Sequence, residues 1–465
     1  MDKFFQLTEK GSSFRQEVIA GLTTFSTIAY IIFVNPSVLS QTGMDFQSVM
    51  IATCLAGAIG TLLTGLLSNY PFAQAPGMGL NAFFTYTVVL QAGYTWQLGL
   101  GIVFISGIVF ILLTLSGWRE AIVDAFPPAI LHAIPAGIGL FITLIGLNNA
   151  EIIDINQGPI VNIILSQEAL EAGSLIDQIQ QAPPQIVQFG NLGSPEVLMA
   201  LFGLVLMVGL SIRKVNGAIL ISILVTTGLG LALGISPMPE SFYSLDLDLS
   251  PTFLQLDLAG IIGGDNAGVG TAILEILTLM IAFTMVDLFD TIGTLYGTAS
   301  KGGFLDENGK LPRMKFALLA DAIATTAGSL LGTSTTTTYI ESSTGIAAGG
   351  RTGLTAVVVA ILFLICVIFA PLAGMIPAYA TSPALIMVGV YMLGSIRRVN
   401  LEDLEEAIPA FFVLTLMPFT YSIASGIGVG LIFYTLIKLI KGEVKSLNPV
   451  VALIAVLFVI KFIFT

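Results

Sequence analysis

Apolar residues fill most of the chain in runs of about 20 residues, the length that a helix needs to cross a bilayer, and short polar stretches separate the runs. The runs lack the alternation of a half-buried strand. We therefore predict an all-α polytopic membrane protein with apolar segments at 18–36, 47–68, 77–92, 97–116, 129–147, 197–212, 216–235, 272–293, 314–332, 339–349, 353–371, 382–395, 406–423, 424–441 and 449–464.

Two stretches are unusual as membrane helices. The stretch 70–82 is rich in Gly and Pro, and the stretch 332–345 is rich in Thr and Ser, so both are poor helix formers. Irregular backbone at membrane depth is tolerated only where it is buried in protein or lines a cavity. The two stretches interrupt the third and tenth spans, seven apart, which is typical of a transporter site between inverted repeats.

The composition excludes a soluble globular fold. Hydrophobic residues make up 55% of the chain and charged residues 10%, whereas soluble domains carry about 25% charged residues. The loops 148–195 and 236–271 are acidic and contain no Lys or Arg, and nearly all basic residues fall in the loops of the opposite side. Because Lys and Arg concentrate in cytoplasmic loops, we predict a multi-pass protein of the plasma (inner) membrane with a cytoplasmic N-terminus.

Several other features predict no chemistry. Cys54 and Cys366 lie in apolar segments and His132 is the single histidine, so neither a metal site nor a disulfide framework is expected. The stretch 77–82 formally matches a dinucleotide fingerprint but lacks its βαβ context, and the basic loop 301–315 is a solvated loop. No cofactor and no nucleic-acid partner are expected. The last stretch, 449–464, can cross the bilayer or lie against its face.

Carboxylates inside the apolar segments are the first candidates for function, because each costs about 2.5–3.5 kcal/mol at the centre of a membrane helix. Glu341 lies in the irregular tenth segment beside Tyr339 and Ser343. A carboxylate accepts two parallel hydrogen bonds, which suits a planar ligand with adjacent N–H groups. The alternative is a structural acid that accepts from freed backbone amides.

Asp287 and Asp290 stand three residues apart on the eighth span and share roughly one helical face. Two charged carboxylates at that spacing repel each other, which favours a group that takes up and releases a proton. The alternative is that one of them braces a neighbouring helix. For Asp321, on the ninth span, we favour a structural or gating role. Asn81 can contact a ligand edge or cap a helix after an unwound turn.

Four motifs in order along the chain resemble those of the AzgA-like purine permeases, which belong to the nucleobase–ascorbate transporter (xanthine/uracil permease) superfamily. The likeness covers essentially the whole chain. The motifs are Gly21-Leu22-Thr23-Thr24-Phe25 through Val34-Asn35-Pro36, then Ala75-Pro76-Gly77-Met78-Gly79-Leu80-Asn81-Ala82, then Val286-Asp287-Leu288-Phe289-Asp290-Thr291-Ile292-Gly293-Thr294, and finally Thr338-Tyr339-Ile340-Glu341-Ser342 followed by Gly349-Gly350-Arg351-Thr352-Gly353-Leu354-Thr355.

The resemblance implies about fourteen spans in two inverted repeats of seven, at 1–235 and 272–465, with the acidic outer loop 236–271 between them. It implies a core domain of spans 1–4 and 8–11 and a gate domain of spans 5–7 and 12–14. It further implies proton-coupled uptake of adenine, guanine or hypoxanthine, bound between the third and tenth segments and span eight. By motif, Gly79 and Asn81 match the third-segment signature, Asp287 the eighth-span acid and Glu341 the tenth-segment acid.

We hypothesise a proton-driven purine importer, and not an enzyme. Glu341 accepts hydrogen bonds from purine N–H groups, and Asp287 makes a second polar contact or holds the coupling proton. Backbone amides near Gly79 and Ser343 meet the acceptors of the purine, and an aromatic ring stacks on it. The predicted substrate-binding residues are Glu341, Asp287, Asn81, Gly79, Ser343, Tyr339 and Phe283, and the proton-coupling candidates are Asp287, Asp290 and Glu341.

The main alternative is an anion transporter of the same architecture, carrying sulfate or bicarbonate. Acids at both contact regions argue against it, because they repel an anion unless they are protonated. An intramembrane aspartyl protease needs acids from two helices, and a passive channel does not need titratable acids at an interrupted helix. The sequence does not rank the three purines. A homodimer through the gate domain fits the superfamily.

Overall fold

A computed structural model describes residues 2–117, 125–155, 187–236, 247–263, 269–307 and 310–464. Parts of the two predicted acidic loops, 156–186, 237–246 and 264–268, lie outside the described residues. The helices are α1 (Asp2–Phe5), α2 (Phe14–Ile28), α3 (Ile31–Leu39), α4 (Phe46–Ser68), α5 (Met78–Ala82), α6 (Trp96–Ser116), α7 (Pro128–Asn149), α8 (Pro195–Ile212), α9 (Ala218–Ala232), α10 (Gly260–Gly263), α11 (Val269–Gly302), α12 (Met314–Leu331), α13 (Ser342–Ala347), α14 (Gly353–Cys366), α15 (Ala370–Ala373), α16 (Ala378–Leu393), α17 (Leu404–Phe419), α18 (Ile423–Ile440) and α19 (Pro449–Phe464).

The remaining elements are short. A π-helix, Phe83–Gln91, continues α5 without a break, and 3-10 turns lie at Ser40–Thr42, Val367–Phe369, Gly394–Arg398 and Val444–Ser446. Four strands form two antiparallel pairs, β1 (Gln74–Pro76) with β4 (Thr336–Thr338) and β2 (Ile153–Ile155) with β3 (Val187–Phe189). The strands β1 and β4 lie within the two stretches that the sequence marks as interrupted.

Within the described parts of the chain, nine helices are long and apolar enough to cross a membrane. Three shorter apolar helices, at 218–232, 353–369 and 449–463, add to them. The last of these forms α19 and packs on α18. The predicted all-α polytopic fold is confirmed. The count of fourteen spans, the inverted repeats and the membrane crossing of α19 stay predictions.

The helices pack in two groups. The first group contains α2–α6, α12–α14 and the strand pair, with α4 and α12 at its centre. The second group contains α7–α9 and α16–α19, with α7 packed against both α16 and α17. The long helix α11 contacts members of both groups, among them β4 and α13 in the first and α18 and α19 in the second. The movement of these groups as core and gate domains stays a prediction.

Helix starts and close crossings follow from local chemistry. Asp45, Thr95 and Ser194 each accept a hydrogen bond from a backbone N–H in the first turn of α4, α6 and α8, as good N-cap residues do. The helices α4 and α14 cross at Gly65 and Gly353, where a Cβ on either residue would overlap the backbone of the other. Glycine therefore permits the close packing that brings the first group together.

Candidate functional site

The third and tenth segments meet as a two-stranded antiparallel sheet. The register pairs Gln74 with Thr338, Ala75 with Thr337 and Pro76 with Thr336. Backbone bonds extend the pairing at both ends, since Gly77 N donates to Thr335 O at 2.9 Å and Tyr339 N donates to Ala73 O at 3.0 Å. Strands in hydrocarbon are stable only when their backbone groups are paired. Each segment therefore supplies hydrogen-bond partners for backbone groups of the other.

Threonines of the flanking helices bind the outer edges of this sheet. Thr61 of α4 donates through Oγ1 to Gln74 O at 2.9 Å and accepts from Gln74 N at 2.8 Å. Thr325 of α12 donates to Thr336 O at 2.9 Å. Both strands are fully buried. The sheet is therefore held between α4 and α12 and does not present a free edge to lipid.

Glu341 stands at the N-cap position of α13, three residues after the last residue of β4. Its Oε1 accepts a hydrogen bond from Tyr30 Oη at 3.1 Å, and its side chain is partly exposed. Ser343, also partly exposed, follows in the first turn of α13. The carboxylate is thus oriented by one hydroxyl and retains acceptor positions for other donors, because an ionised carboxylate has about four of them.

Tyr30 is a residue of this site that sequence reasoning missed. It lies in the break between α2 and α3 and is 1% exposed. The sequence shows it only within the first family motif. A hydroxyl-bearing side chain at a break in the first span is the one signal that could have drawn attention to it, whereas its contact with a residue 311 positions away depends on the tertiary fold.

The two acids of α11 differ in exposure. Asp287 is fully buried, whereas Asp290 is partly exposed. Asp290 interacts electrostatically with Asp321 and Glu341. The structure therefore brings Asp290 and Glu341 into one electrostatic cluster, with Tyr339 also in range of both acids.

Asp321 is connected to the tenth strand through a hydroxyl. Its Oδ1 accepts from Thr291 Oγ1 at 3.0 Å, and Thr291 Oγ1 lies 2.8 Å from Thr337 Oγ1 of β4. Asp321 is fully buried. This arrangement links α12, α11 and β4, and a structural or gating role for Asp321 stays a prediction.

The predicted third-segment residues are buried and in contact with protein. Asn81 Oδ1 accepts a short hydrogen bond from Ser334 Oγ, next to the tenth strand. A Cβ on Gly79 would lie 2.8 Å from Ile138 of α7, so this glycine allows α5 to approach the second helix group. Both residues hold the segment in place, and a ligand contact for either stays a prediction.

The two predicted stacking aromatics are also buried. Tyr339 donates its hydroxyl hydrogen to Pro76 O at 2.5 Å, which ties the tenth segment to the third. Phe283 of α11 is 1% exposed and lies with its ring centroid 4.5 Å from that of Phe83 at the start of the π-helix. Stacking of either ring on a ligand stays a prediction.

A second missed residue is the acid Glu17 of α2, which binds the connection that follows the tenth segment. It is fully buried and accepts backbone hydrogen bonds from Arg351 (3.0 Å), Thr352 (3.3 Å) and Thr355 (3.3 Å). Arg351 in turn donates to Ile346 O at the end of α13 at 2.8 Å. Glu17 thus acts as an N-cap that one helix supplies to another, and it fixes the connection between α13 and α14.

In the part of the chain that the structure describes, no group of three or more His, Cys, Asp or Glu side chains is placed so that it could hold a metal ion. The arrangement offers a neutral ligand hydrogen-bond acceptors on Glu341 and backbone groups at the two strand ends. It also places several carboxylates where a proton can be held.

Comparison with known proteins identifies the family of the chain and its relatives. The model of the permease family matches residues 15–174 and 160–429. The chain is 42% identical over 468 residues to the adenine permease AdeP of Escherichia coli (strain K12), covering 100% of this chain and 96% of that protein. It is 41% identical over 475 residues to the guanine/hypoxanthine permease PbuG of Bacillus subtilis (strain 168), covering 100% of both.

Among solved structures, the fold is similar to the transmembrane domain of a cyanobacterium bicarbonate transporter, BicA. The TM-score is 0.60 at 17% identity, with 88% of this chain and 96% of that chain covered. A likeness at this identity concerns the fold alone.

Proposed function

The chain belongs to the permease family, and we propose that it is a secondary active transporter that imports purine nucleobases by proton symport. Adenine, guanine and hypoxanthine are the proposed substrates, since relatives that match its full length are named for them. The purine binds between the third and tenth segments and α11. The two helix groups act as the core and gate domains, and the chain consists of two inverted repeats. The protein lies in the plasma membrane with its N-terminus in the cytoplasm. Two copies form a homodimer through their gate domains.

The observation that carries the proposal is the position of Glu341. Its carboxylate stands at the end of a buried strand pair, is partly exposed, and is oriented by Tyr30 at 3.1 Å. Guanine presents adjacent ring and exocyclic N–H groups, which a carboxylate accepts in parallel, and adenine and hypoxanthine present N–H groups that it accepts one at a time. Ser343 and the backbone near Gly79 supply donors for the ring nitrogens and, in guanine and hypoxanthine, for the carbonyl oxygen.

Proton coupling is proposed from the cluster of acids around Glu341. Asp290 interacts with Glu341 and Asp321, and the buried Asp287 stands one helical turn before Asp290. Carboxylates that share a site repel each other when all are charged, so binding one proton relieves the repulsion. A proton that enters with the purine would therefore make the loaded site less highly charged while the domains move.

An anion transporter of the same architecture is the alternative, and the similarity to BicA concerns its fold alone. The carboxylates at the centre disfavour it, because an anion in that position meets like charge.

The test is uptake of labelled adenine, guanine, hypoxanthine, uracil, sulfate and bicarbonate in cells that lack their own carriers, with and without a protonophore. We expect accumulation of purines that the protonophore abolishes, and loss of uptake in a Glu341→Gln variant of equal abundance in the membrane. Accumulation of purine that resists the protonophore would contradict symport. Uptake of sulfate or bicarbonate without purine uptake would establish the alternative.

A further inference from the structure

A cavity whose lining does not include Glu341 lies at the side of the protein where α7 ends and the chain enters the first acidic loop. Its volume is about 430 Å³, which falls in the range of small-molecule sites, about 300–1,000 Å³. We call it the vestibule. It is lined chiefly by Gln41, Tyr86, Gln91, Asn148, Asn149 and Tyr421.

The vestibule lies where the two helix groups meet. Gln41 comes from the 3-10 turn after α3, and Tyr86 and Gln91 come from the π-helix. Asn148 and Asn149 end α7, and Tyr421 lies in the turn between α17 and α18 with a left-handed φ of 52°. Any ligand in this cavity therefore touches both groups.

Hydrogen bonds across the vestibule fix its polar side chains. Asn149 Nδ2 donates to Tyr86 Oη at 3.2 Å, and Tyr86 Oη donates to Gln41 Oε1 at 3.0 Å. Gln91 Nε2 donates to Thr420 O at 2.8 Å. Asn148 Oδ1 accepts from Ile155 N at 3.3 Å. These bonds hold the carboxamides in defined orientations. Less side-chain entropy is therefore lost when a ligand binds.

The chemistry of the lining selects an uncharged, hydrogen-bonding, flat ligand. None of the lining residues is Asp, Glu, Lys or Arg. A carboxamide presents a donor and an acceptor side by side, the pattern that pairs with N6 and N7 of adenine and with N1–H and O6 of hypoxanthine or guanine. Tyr86 and Tyr421 each pack edge-on against Phe141, with ring centroids 6.2 Å and 5.6 Å away, and so form a fixed aromatic wall.

The vestibule is also connected to the proposed transport site along one helix. The π-helix that carries Tyr86 and Gln91 continues α5, which carries Gly79 and Asn81 at the strand pair. π-helical turns occur frequently at functional sites. A purine leaving the vestibule along this helix would arrive at the start of α5, where Pro76 pairs with Thr336 of the tenth segment.

We infer that the vestibule is a second, weaker purine-binding site, which captures the base before it reaches Glu341. The inference rests on the proposed purine transport. It assigns the carboxamides of Asn149 and Gln91 to recognition of an uncharged purine edge, in contrast to the acids of the central site. Binding there does not require Glu341.

The experiment is purine protection of a reporter thiol in the full-length protein in nanodiscs, where both faces are accessible. Leu90 lines the vestibule and is 52% exposed, so Leu90→Cys in a Cys54→Ala, Cys366→Ala background reports on it. We expect hypoxanthine or adenine to slow maleimide labelling of this thiol, equally in the presence of Glu341→Ala. A thiol placed by Phe253→Cys, exposed but not among the lining residues, is the control and should be unaffected.

Asn149→Leu and Gln91→Leu test the recognition itself, and either suffices if the other does not fold. Each variant replaces a carboxamide side chain by an apolar one of similar size, so we expect about a tenfold rise in the purine concentration needed for protection. Protection that disappears with Glu341→Ala, or that persists unchanged in both carboxamide variants, would overturn the inference. Absence of protection beside normal purine uptake overturns the vestibule alone, and protection without any uptake overturns only the proposed transport.

Discussion

The third and tenth segments pair strand to strand, yet they differ in what they present beyond the strands. The third continues as a helix of Met78–Ala82 and Phe83–Gln91 without a charged residue, and its Gly79 and Asn81 contact protein. The tenth continues as the short helix α13 with the partly exposed Glu341 at its start. This difference agrees with the proposed function, in which the third segment positions the backbone and Glu341 of the tenth contacts the purine.

The largest effect is expected at Glu341. Glu341→Gln keeps the size of the side chain but replaces one acceptor oxygen by a donor, so a purine loses at least one charge-assisted hydrogen bond and meets an opposed donor. We expect purine uptake to fall about 100-fold or more, with protein abundance unchanged. The measurement is initial uptake rate of labelled hypoxanthine. Uptake near the unmodified rate would place the chemistry elsewhere and remove the contrast between the segments.

At Asn81 the expected loss is one of stability. Asn81→Ala removes the bond to Ser334 and leaves a buried hydroxyl without its acceptor, which we expect to lower the free energy of unfolding by about 1–3 kcal/mol. Ser334→Ala and the double variant complete a cycle, and the two effects should not add. Thermal unfolding in detergent gives the stability, and KM for purine should change little. A large rise in KM with intact stability would instead make Asn81 a ligand contact.

The contrast between the segments was only partly visible in the sequence. Runs of apolar residues set the helical membrane fold, and Gly and Pro at 70–82 and Thr at 332–345 marked the two interruptions, because those residues disfavour helix. The extended pieces at Gln74–Pro76 and Thr336–Thr338 agree with that prediction. Local sequence cannot give their register, since it depends on how Thr61 and Thr325 of two distant helices bind the strand edges.

The direction in which each side chain points is not encoded in the local sequence. Asp287 and Asp290 share roughly one face by spacing, yet packing of α11 buries the first and leaves the second partly exposed. Tyr30 contacts the tenth segment, and Glu17 contacts the connection that follows it, each from more than 300 positions away. Such contacts arise from the crossing of α2 with α13 and α14, which neither hydrophobic period nor composition encodes.

Tyr30→Phe tests how far the hydrogen bond that Glu341 accepts from Tyr30 matters for purine binding. The variant removes the hydroxyl that donates to Oε1 and keeps the ring, so the carboxylate loses one orienting bond and nothing else. We expect KM for purine to rise about five- to tenfold, as one hydrogen bond to a charged group predicts, with Vmax nearly unchanged. Thermal unfolding of the same protein serves as the control. A fall in Vmax and in unfolding temperature at constant KM would show a merely structural tyrosine.

The smallest effect is expected at a carboxylate remote from both segments, which provides the matched control for Glu341. Glu405, in the first turn of α17, pairs with Lys441 and with Lys438 at 3.3 Å. The bond from Lys441 is the main cause that lowers the pKa of Glu405 below its ordinary 4.5. Because the folded pKa is the lower one, the pair stabilises the fold above pH 4.5, and this contribution is lost as the pH falls through the folded value.

Glu405→Gln should therefore lower the unfolding temperature slightly at pH 7 and less at pH 4, and the difference should shrink in high salt, as it does for exposed ion pairs. Purine uptake at pH 7 should stay within twofold of the unmodified protein, about the scatter of a surface substitution. Loss of uptake comparable to that of Glu341→Gln, with the protein still folded, would mean that any missing carboxylate disables transport. Glu341 of the tenth segment would then not differ in its effect on transport from another acid of the chain.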